Sequence, residues 1–546
     1  MSYQFNLVDQ GWIPCILPKP GGTARELGIR ETLARAHEIA EIFDASPFVT
    51  VAIHRLLLAI LHRNFGPENQ TAWKALWDRG AFDSAKLGDY LNRWRDRFHL
   101  FHPKRPFCQV TELNVKPVPV AKLAHELAVG NNDTLFDHSF DSSGARFSAA
   151  QGARYLLAFQ TFAAPGTISR AKGDPPSAPA APLAKGAVVL VKGGNLFQTL
   201  MLNLHRYNPK QEEPFECSPS DAPAWEHEEQ AGAEDRLPEG YLDLLTWQSR
   251  CARLIPEANE RGESVVAQFS YSRGAGIPDS WSPFRKETMF VFKRNPKAEE
   301  HEESWLILGL KEERAVWRDS SALFEIKGKY APRTVEWLSG LVESGTLDRS
   351  RLLSVDVLGF CPEKQRPAKL LFWRHERLPL PLAYLREPQL IDRLRIALKQ
   401  AEDVEFDLRA ALFELARLLL AAEADRPAAP QPDKKNVQGL LKSISVVPVY
   451  WSRLEVPFSK FLVDLAADRT KREDGSPEYG NTALPEWAAT VRRTATSALG
   501  ELTRSLDSSA RSLKAGAVAK RTFDRHLART LPNPDKQEEV NHATAQ

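Results

Sequence analysis

The chain has 546 residues, with 72 Lys and Arg against 70 Asp and Glu for a net charge of +2, and is 43% hydrophobic and 26% charged. That composition belongs to a folded globular protein long enough for two or three domains, and it is too near neutral for a surface that grips nucleic acid all over. No uninterrupted apolar run reaches the roughly 18–20 residues that cross a bilayer, the start lacks a secretory signal pattern, and the five cysteines include no Cys-x-x-Cys pair, so no membrane, a cytoplasmic location and free thiols are expected.

In chain order, "SPFVTVAIHRLLLAILHR" predicts a helix. Ser46 is placed to cap it, Pro47 to occupy its first turn, and Val49, Ile53, Leu56, Leu57 and Ile60 share one face. His54 and His62, two turns apart, read as helix-surface histidines. A second helix is expected in "KLGDYLNRWRDRF", where Leu87, Leu91, Trp94 and Phe98 recur every three or four residues. From Leu91 to Val110 arginines interleave with aromatics. Bases could stack on such a pattern, but an amphipathic helix end with aromatics inward explains it better.

"TFAAPGTISRAKGDPPSAPAAPL" (Thr161 to Leu183) is Ala- and Pro-rich. It is either a spacer or, around Gly166, a loop whose bare backbone comes close to something negatively charged. "AVVLVKGG", "VVAQFSYS" and "SWLILGLK" predict strands. Cys217 to Gly240 is polar and Pro-rich and reads as a long surface loop, and "WRHER" as a solvated ion-pair cluster.

Beyond Glu387 the pattern changes. Leu390, Leu394, Ala397, Ala401, Val404, Leu408, Ala411, Leu415 and Leu418 step by fours and threes, a bundle seam. Three more helical segments follow, through "YWSRLEVPFSKFLVDLAA", "PEWAATVRRTATSALGELTRSL" and "VAKRTFDRHLARTL", and Pro457 should kink or break the first of them. The expected class is α+β: a large mixed N-terminal domain of short sheets and helices (1–384), a C-terminal four-helix bundle (385–532), and a disordered tail (533–546).

Catalytic and metal-binding patterns do not emerge. "HELAV" and "HEIAE" each lack the second histidine of a metalloprotease helix, and neither a Gly-x-Ser-x-Gly elbow nor a phosphate-binding Walker loop occurs. No catalytic residue, metal site or cofactor is expected. A hydrolase with an unrecognised site is the reading that no constellation supports.

Taken in order, "FNLVDQGWIPC", the helix from Ser46, "RWRDRFHLFHPKRPFCQV", Trp247-Gln248, "WRHER" and "YWSRLEVPF" resemble the CasA family, the large subunit of the type I-E CRISPR surveillance complex Cascade. "FNLVDQGWIPC" resembles that family's opening strand. The resemblance implies a non-enzymatic subunit. Its partners would be the other Cascade subunits, the guide CRISPR RNA, double-stranded target DNA and a helicase–nuclease effector. Such subunits inspect a protospacer-adjacent motif from the minor groove, while base pairing to the guide reads the rest. The alternative is a protein and RNA scaffold with no DNA readout of its own.

Four elements carry over by position. The family's glycine-rich loop aligns with Gly166, Thr167, Ile168, Ser169 and Arg170, with fewer glycines here than in its relatives; glycine suits a groove about 6 Å wide. A strand-separating wedge aligns with Gln365, Arg366, Pro367 and Ala368, which without the family read as a polar hairpin turn. A basic finger aligns with Arg273 in "SYSRGAG". A loop contacting guide RNA and a neighbouring subunit aligns with Asn131, Asn132 and Phe136; these residues read equally well as an ordinary turn with a core phenylalanine.

Overall fold

The Pro47–Phe65 helix is the spine of the N-terminal part, with Pro47 to Leu61 and His62 buried except for Thr50. The structure, a computed structural model, describes residues 3–18, 24–124, 144–168, 173, 175–228, 232–295, 305–363, 366–421, 432–472 and 477–531. By length and composition this helix could cross a membrane. Its burial by the rest of the fold makes it a core helix instead. Ser46 holds the N-cap position in extended backbone, but its hydroxyl makes no capping bond and is buried without a partner. The turn is set by Pro47 and by the Ser46 N–H, which donates to Asp44 Oδ1 at 3.0 Å. The two histidines are not on the surface. His54 is 0% and His62 1% exposed, and each Nδ1 meets the carbonyl one turn back, Thr50 O at 2.7 Å and Leu58 O at 2.9 Å. Apolar periodicity cannot reveal this, because a neutral imidazole that bonds its own helix through Nδ1 can be buried among hydrophobes, here with Nε2 of both rings buried without a hydrogen-bond partner among the described residues.

The chain forms two compact units, Met1–Leu378 and Pro379–Gln546. In the first, short antiparallel sheets surround the helical core, so the mixed α+β class holds. The expected strands appear at Val188–Lys192, Ser264–Arg273 and Trp305–Ile307. Strand Ser264–Arg273 pairs along its length with Arg250–Ala258, and at the hairpin's open end Arg273 lies opposite Arg250. Strand Leu352–Glu363 lies between Val188–Lys192 and Arg366–Pro381. The opening segment differs from expectation: Asn6 makes an isolated bridge with His99, and the first strand is Ile13–Ile16.

Packing decides the arginine–aromatic stretch. Phe98, Leu100, Phe101 and Phe107 are buried, while Arg95 pairs with Asp9 and both Arg97 and Arg105 with Glu228. The Cys217–Gly240 segment is more than a surface loop. Trp225 and Asp221 are buried, and Asp221 accepts the N–H groups of Leu242 and Asp243 at 3.1 and 3.0 Å, capping the Tyr241–Leu245 helix from outside. A polar sequence hides such a cap because its partners lie some twenty residues away.

In the second unit the four expected long helices are Pro388–Leu420, Val447–Ala467, Ala483–Ser505 and Ala510–Thr530. A shorter helix, Lys434–Ser443, and a small hairpin of Arg469–Lys471 with Pro477–Tyr479 were not foreseen. The predicted seam is buried from Leu390 to Leu415, with Leu418 half-buried. Pro457 lies inside a continuous helix and does not break it. Two aromatic side chains reach the first helix's backbone: Tyr450 Oη donates to Ala401 O at 2.8 Å and Trp487 Nε1 to Ala397 O at 2.9 Å. The tail from 532 lies outside the described residues.

Candidate nucleic-acid interface

The stretch after the Ala149–Phe162 helix is a folded ribbon. A capping box of Ser148 and Gln151 starts that helix. The chain then leaves through Ala164 and Pro165, and Gly166 pairs with Ala178 and Thr167 with Ser177. Ile168 N–H donates to Pro176 O at 3.4 Å, Ala181 N–H to Ala163 O at 2.9 Å and Leu183 N–H to Thr161 O at 3.0 Å. Ala178, Ala181 and Leu183 are buried. From Ser177 to Leu183 the spacer alternative is thereby corrected: small residues that look uncommitted in sequence let two backbones lie side by side. Gly166 has φ +149°, a conformation side chains avoid. Gly166 and Ile168 are half-buried and Thr167 is exposed. Ser169 and Arg170 lie outside the described residues.

Arg273 is 9% exposed. Its Nη2 pairs with Asp235 Oδ1 and its Nη1 donates to Ser177 O at 3.3 Å, on the returning limb of the ribbon. Across the hairpin, Arg250 is 2% exposed. Its Nη2 donates to Ala164 O at 2.7 Å, on the outgoing limb, and its Nη1 to Ser249 O at 2.7 Å. Burial, the largest influence, lowers the Arg250 pKa to about 10; Tyr271 opposes this and the Arg273 charge adds to it. The glycines after Arg273 have steric reasons. A Cβ on Gly274 would come within 2.5 Å of Arg250 N and Gln248 O, and one on Gly276 would strike Asp235. Trp247 Nε1 holds the same turn through Ala275 O at 2.9 Å. Arg250, Asp235 and Ser177 escaped the sequence reading; the Arg-Gly-Ala-Gly spacing was its only trace.

The wedge candidates lie where Leu352–Glu363 turns into Arg366–Pro381. Arg366, Pro367 and Ala368 begin the second strand, and Gln365 lies outside the described residues. The hairpin's other end is anchored by charge: Arg377 to Asp356 at 2.7 Å and Glu41 at 3.0 Å, His375 to Asp356 at 3.4 Å, and Lys192 to Glu41 at 3.0 Å. Burial raises the Asp356 pKa, but the His375 and Arg377 hydrogen bonds and the nearby cations outweigh it, leaving the carboxyl well below its ordinary range. "WRHER" is an ion-pair cluster as expected, with Trp373, His375 and Arg377 exposed and Arg374 and Glu376 half-buried. Asn131, Asn132 and Phe136 lie outside the described residues.

Among the described residues no group of three or more His, Cys, Asp or Glu is placed to hold a metal ion. The five cysteines are free thiols.

The family model for CRISPR-associated protein Cse1 matches residues 6–498. A CRISPR-associated CasA/Cse1 protein of Thermus thermophilus is 35% identical over 538 residues, 96% of this chain and 97% of its own. A crystal structure of Thermus thermophilus CasA superposes with TM-score 0.77 and 32% identity, covering 96% of this chain and all of that one. A chain of a structure described as a CRISPR RNA-guided surveillance complex has the same fold, with TM-score 0.69 at 21% identity over 96% of this chain and all of its own. The chain belongs to the CRISPR-associated Cse1 (CasA) family.

Proposed function

We propose that this chain is the non-catalytic large subunit of a type I-E CRISPR surveillance complex. In this role it recognises the protospacer-adjacent motif in duplex DNA from the minor-groove side, promotes unwinding and R-loop formation, and recruits a helicase–nuclease. The observation that carries the reading is the ribbon. Its Gly166 limb offers backbone with no side chain, beside the exposed Thr167, in a ribbon whose Ala164 and Ser177 carbonyls are bonded by two buried guanidinium groups. A minor groove about 6 Å wide admits backbone more readily than bulky side chains, and its negative potential favours nearby cations. Family membership and the likeness to a chain of a surveillance complex support the assembly partners, other subunits and guide RNA.

The test is duplex binding by guide-loaded complex assembled with and without this chain. Motif-bearing DNA should be preferred over motif-free DNA only when the chain is present. Equal binding of both duplexes would instead support a protein and RNA scaffold.

A further inference from the structure

Like charges directly opposite each other across a sheet are destabilising, as is a cation taken out of water without a counter-ion. The register Arg250↔Arg273 incurs both penalties. Arg273 has a carboxylate, Asp235, whereas among the described residues the Arg250 guanidinium donates only to the carbonyls of Ser249 and Ala164. Among the described residues the buried pair thus carries two positive charges against one negative. Local stability does not account for such an arrangement, since well-packed apolar residues at these positions would cost less.

What the pair does have is reach. One guanidinium bonds the carbonyl of Ala164, two residues before Gly166, and the other bonds the carbonyl of Ser177, the partner of Thr167. A guanidinium holds several donors in a rigid plane, so one side chain can bridge two fixed acceptors. Arg250 bridges Ser249 O and Ala164 O; Arg273 bridges Asp235 and Ser177 O. Both ends of the ribbon are therefore fastened to the open end of one hairpin. Gly274 and Gly276 clear the space, and Trp247 fixes the turn between them.

We propose that Arg250 and Arg273 are positioning residues that clamp the two limbs of the Gly166 ribbon and hold it ready for a DNA minor groove. The proposal rests on the reading of the ribbon as the duplex contact. It departs from the alignment, which makes Arg273 itself the finger in the groove. A clamped ribbon loses little conformational freedom when it meets its target, which keeps the entropic cost out of binding.

The test uses Arg250→Met, Arg273→Met and Arg250→Lys in the full chain, free and in guide-loaded complex. Hydrogen exchange at the Ile168 amide reports the ribbon, and the Val189 amide, bonded to Met289 O at 2.9 Å, reports the core. Either methionine variant should speed exchange at Ile168 about tenfold and leave Val189 unchanged. Each should also weaken binding of motif-bearing duplex about tenfold with little effect on motif-free duplex. Lysine keeps the charge but puts its donors on one ammonium at the end of a flexible stem in place of a rigid planar fork, so Arg250→Lys should restore only part of either property; full rescue would reduce the role to charge alone and overturn the clamp. Unchanged Ile168 exchange in both methionine variants also overturns it, whatever DNA does. Faster exchange with intact motif discrimination overturns the duplex reading of the ribbon, and the positioning role with it. Should Arg250→Met fail to fold, Arg273→Met, whose partner Asp235 is 56% exposed, carries the same test.

Discussion

Arg55 Nη1 lies 3.1 Å from both carboxylate oxygens of Glu287, with each residue 1% exposed. The arginine sits in the middle of the buried Pro47–Phe65 helix, and its Nη2 also holds Leu244 O at 2.9 Å. Removing one member of such a pair leaves a buried charge uncompensated, at a cost of about 3–5 kcal/mol. Glu287→Gln should therefore lower the unfolding free energy by that amount, read as a drop in the denaturant midpoint. The double replacement Arg55→Met with Glu287→Leu should recover much of the loss. A single variant as stable as the parent would show that water reaches the pair.

The buried histidines set an acid limit. Burial, the leading influence in both, lowers the His54 pKa from 6.5 to about 3, with Lys192 adding to the effect, and that of His62 to about 4. Folded values below the unfolded one mean that the unfolded chain binds more protons as pH falls. Their stabilisation is complete above 6.5 and is lost as pH drops from there toward 4, with a slope of up to about 1.4 kcal/mol per pH unit for each histidine. His62→Asn can keep the bond to Leu58 O without a titrating ring. Urea unfolding between pH 7.5 and 5 should show a shallower decline in this variant, and an identical decline would remove His62 from the account.

At Gly166 a Cβ costs about 1–3 kcal/mol of backbone strain at φ +149°, and a carboxylate adds repulsion from phosphate. Gly166→Asp should reduce motif-bearing duplex binding by well over about tenfold, and Gly166→Ala by less. Assembly with the other subunits should proceed normally in both. Binding at parental affinity by the aspartate variant would exclude the ribbon from the DNA contact.

Replacing Gln365, Arg366, Pro367 and Ala368 with Gly and Ser should slow R-loop opening more than initial docking, because insertion beside a base step needs a stiff tip. Stopped-flow traces with a fluorescent base at the first target pair separate the two phases. Parental opening rates would move strand separation to another element.

The sequence alone determined what depends on neighbours a few residues apart. The fours and threes from Leu390 onward specify the bundle seam, the Ser46-Pro47 start and apolar run specify the core helix, and the ordered motifs identify the family. Only the tertiary structure decided where the isolated polar groups went. Arg250 and Ala164 are 86 residues apart in the chain, Arg273 and Ser177 are 96 apart, and Arg55 and Glu287 are 232 apart. The Ala- and Pro-rich stretch shows the division in one segment. Its composition announced a chain with no core of its own, but not that Ala178, Ala181 and Leu183 would be buried against the rest of the fold. Helical and strand periodicity arise from local backbone geometry, whereas the burial of a charge or a bare ribbon depends on partners that meet only after the chain has closed on itself.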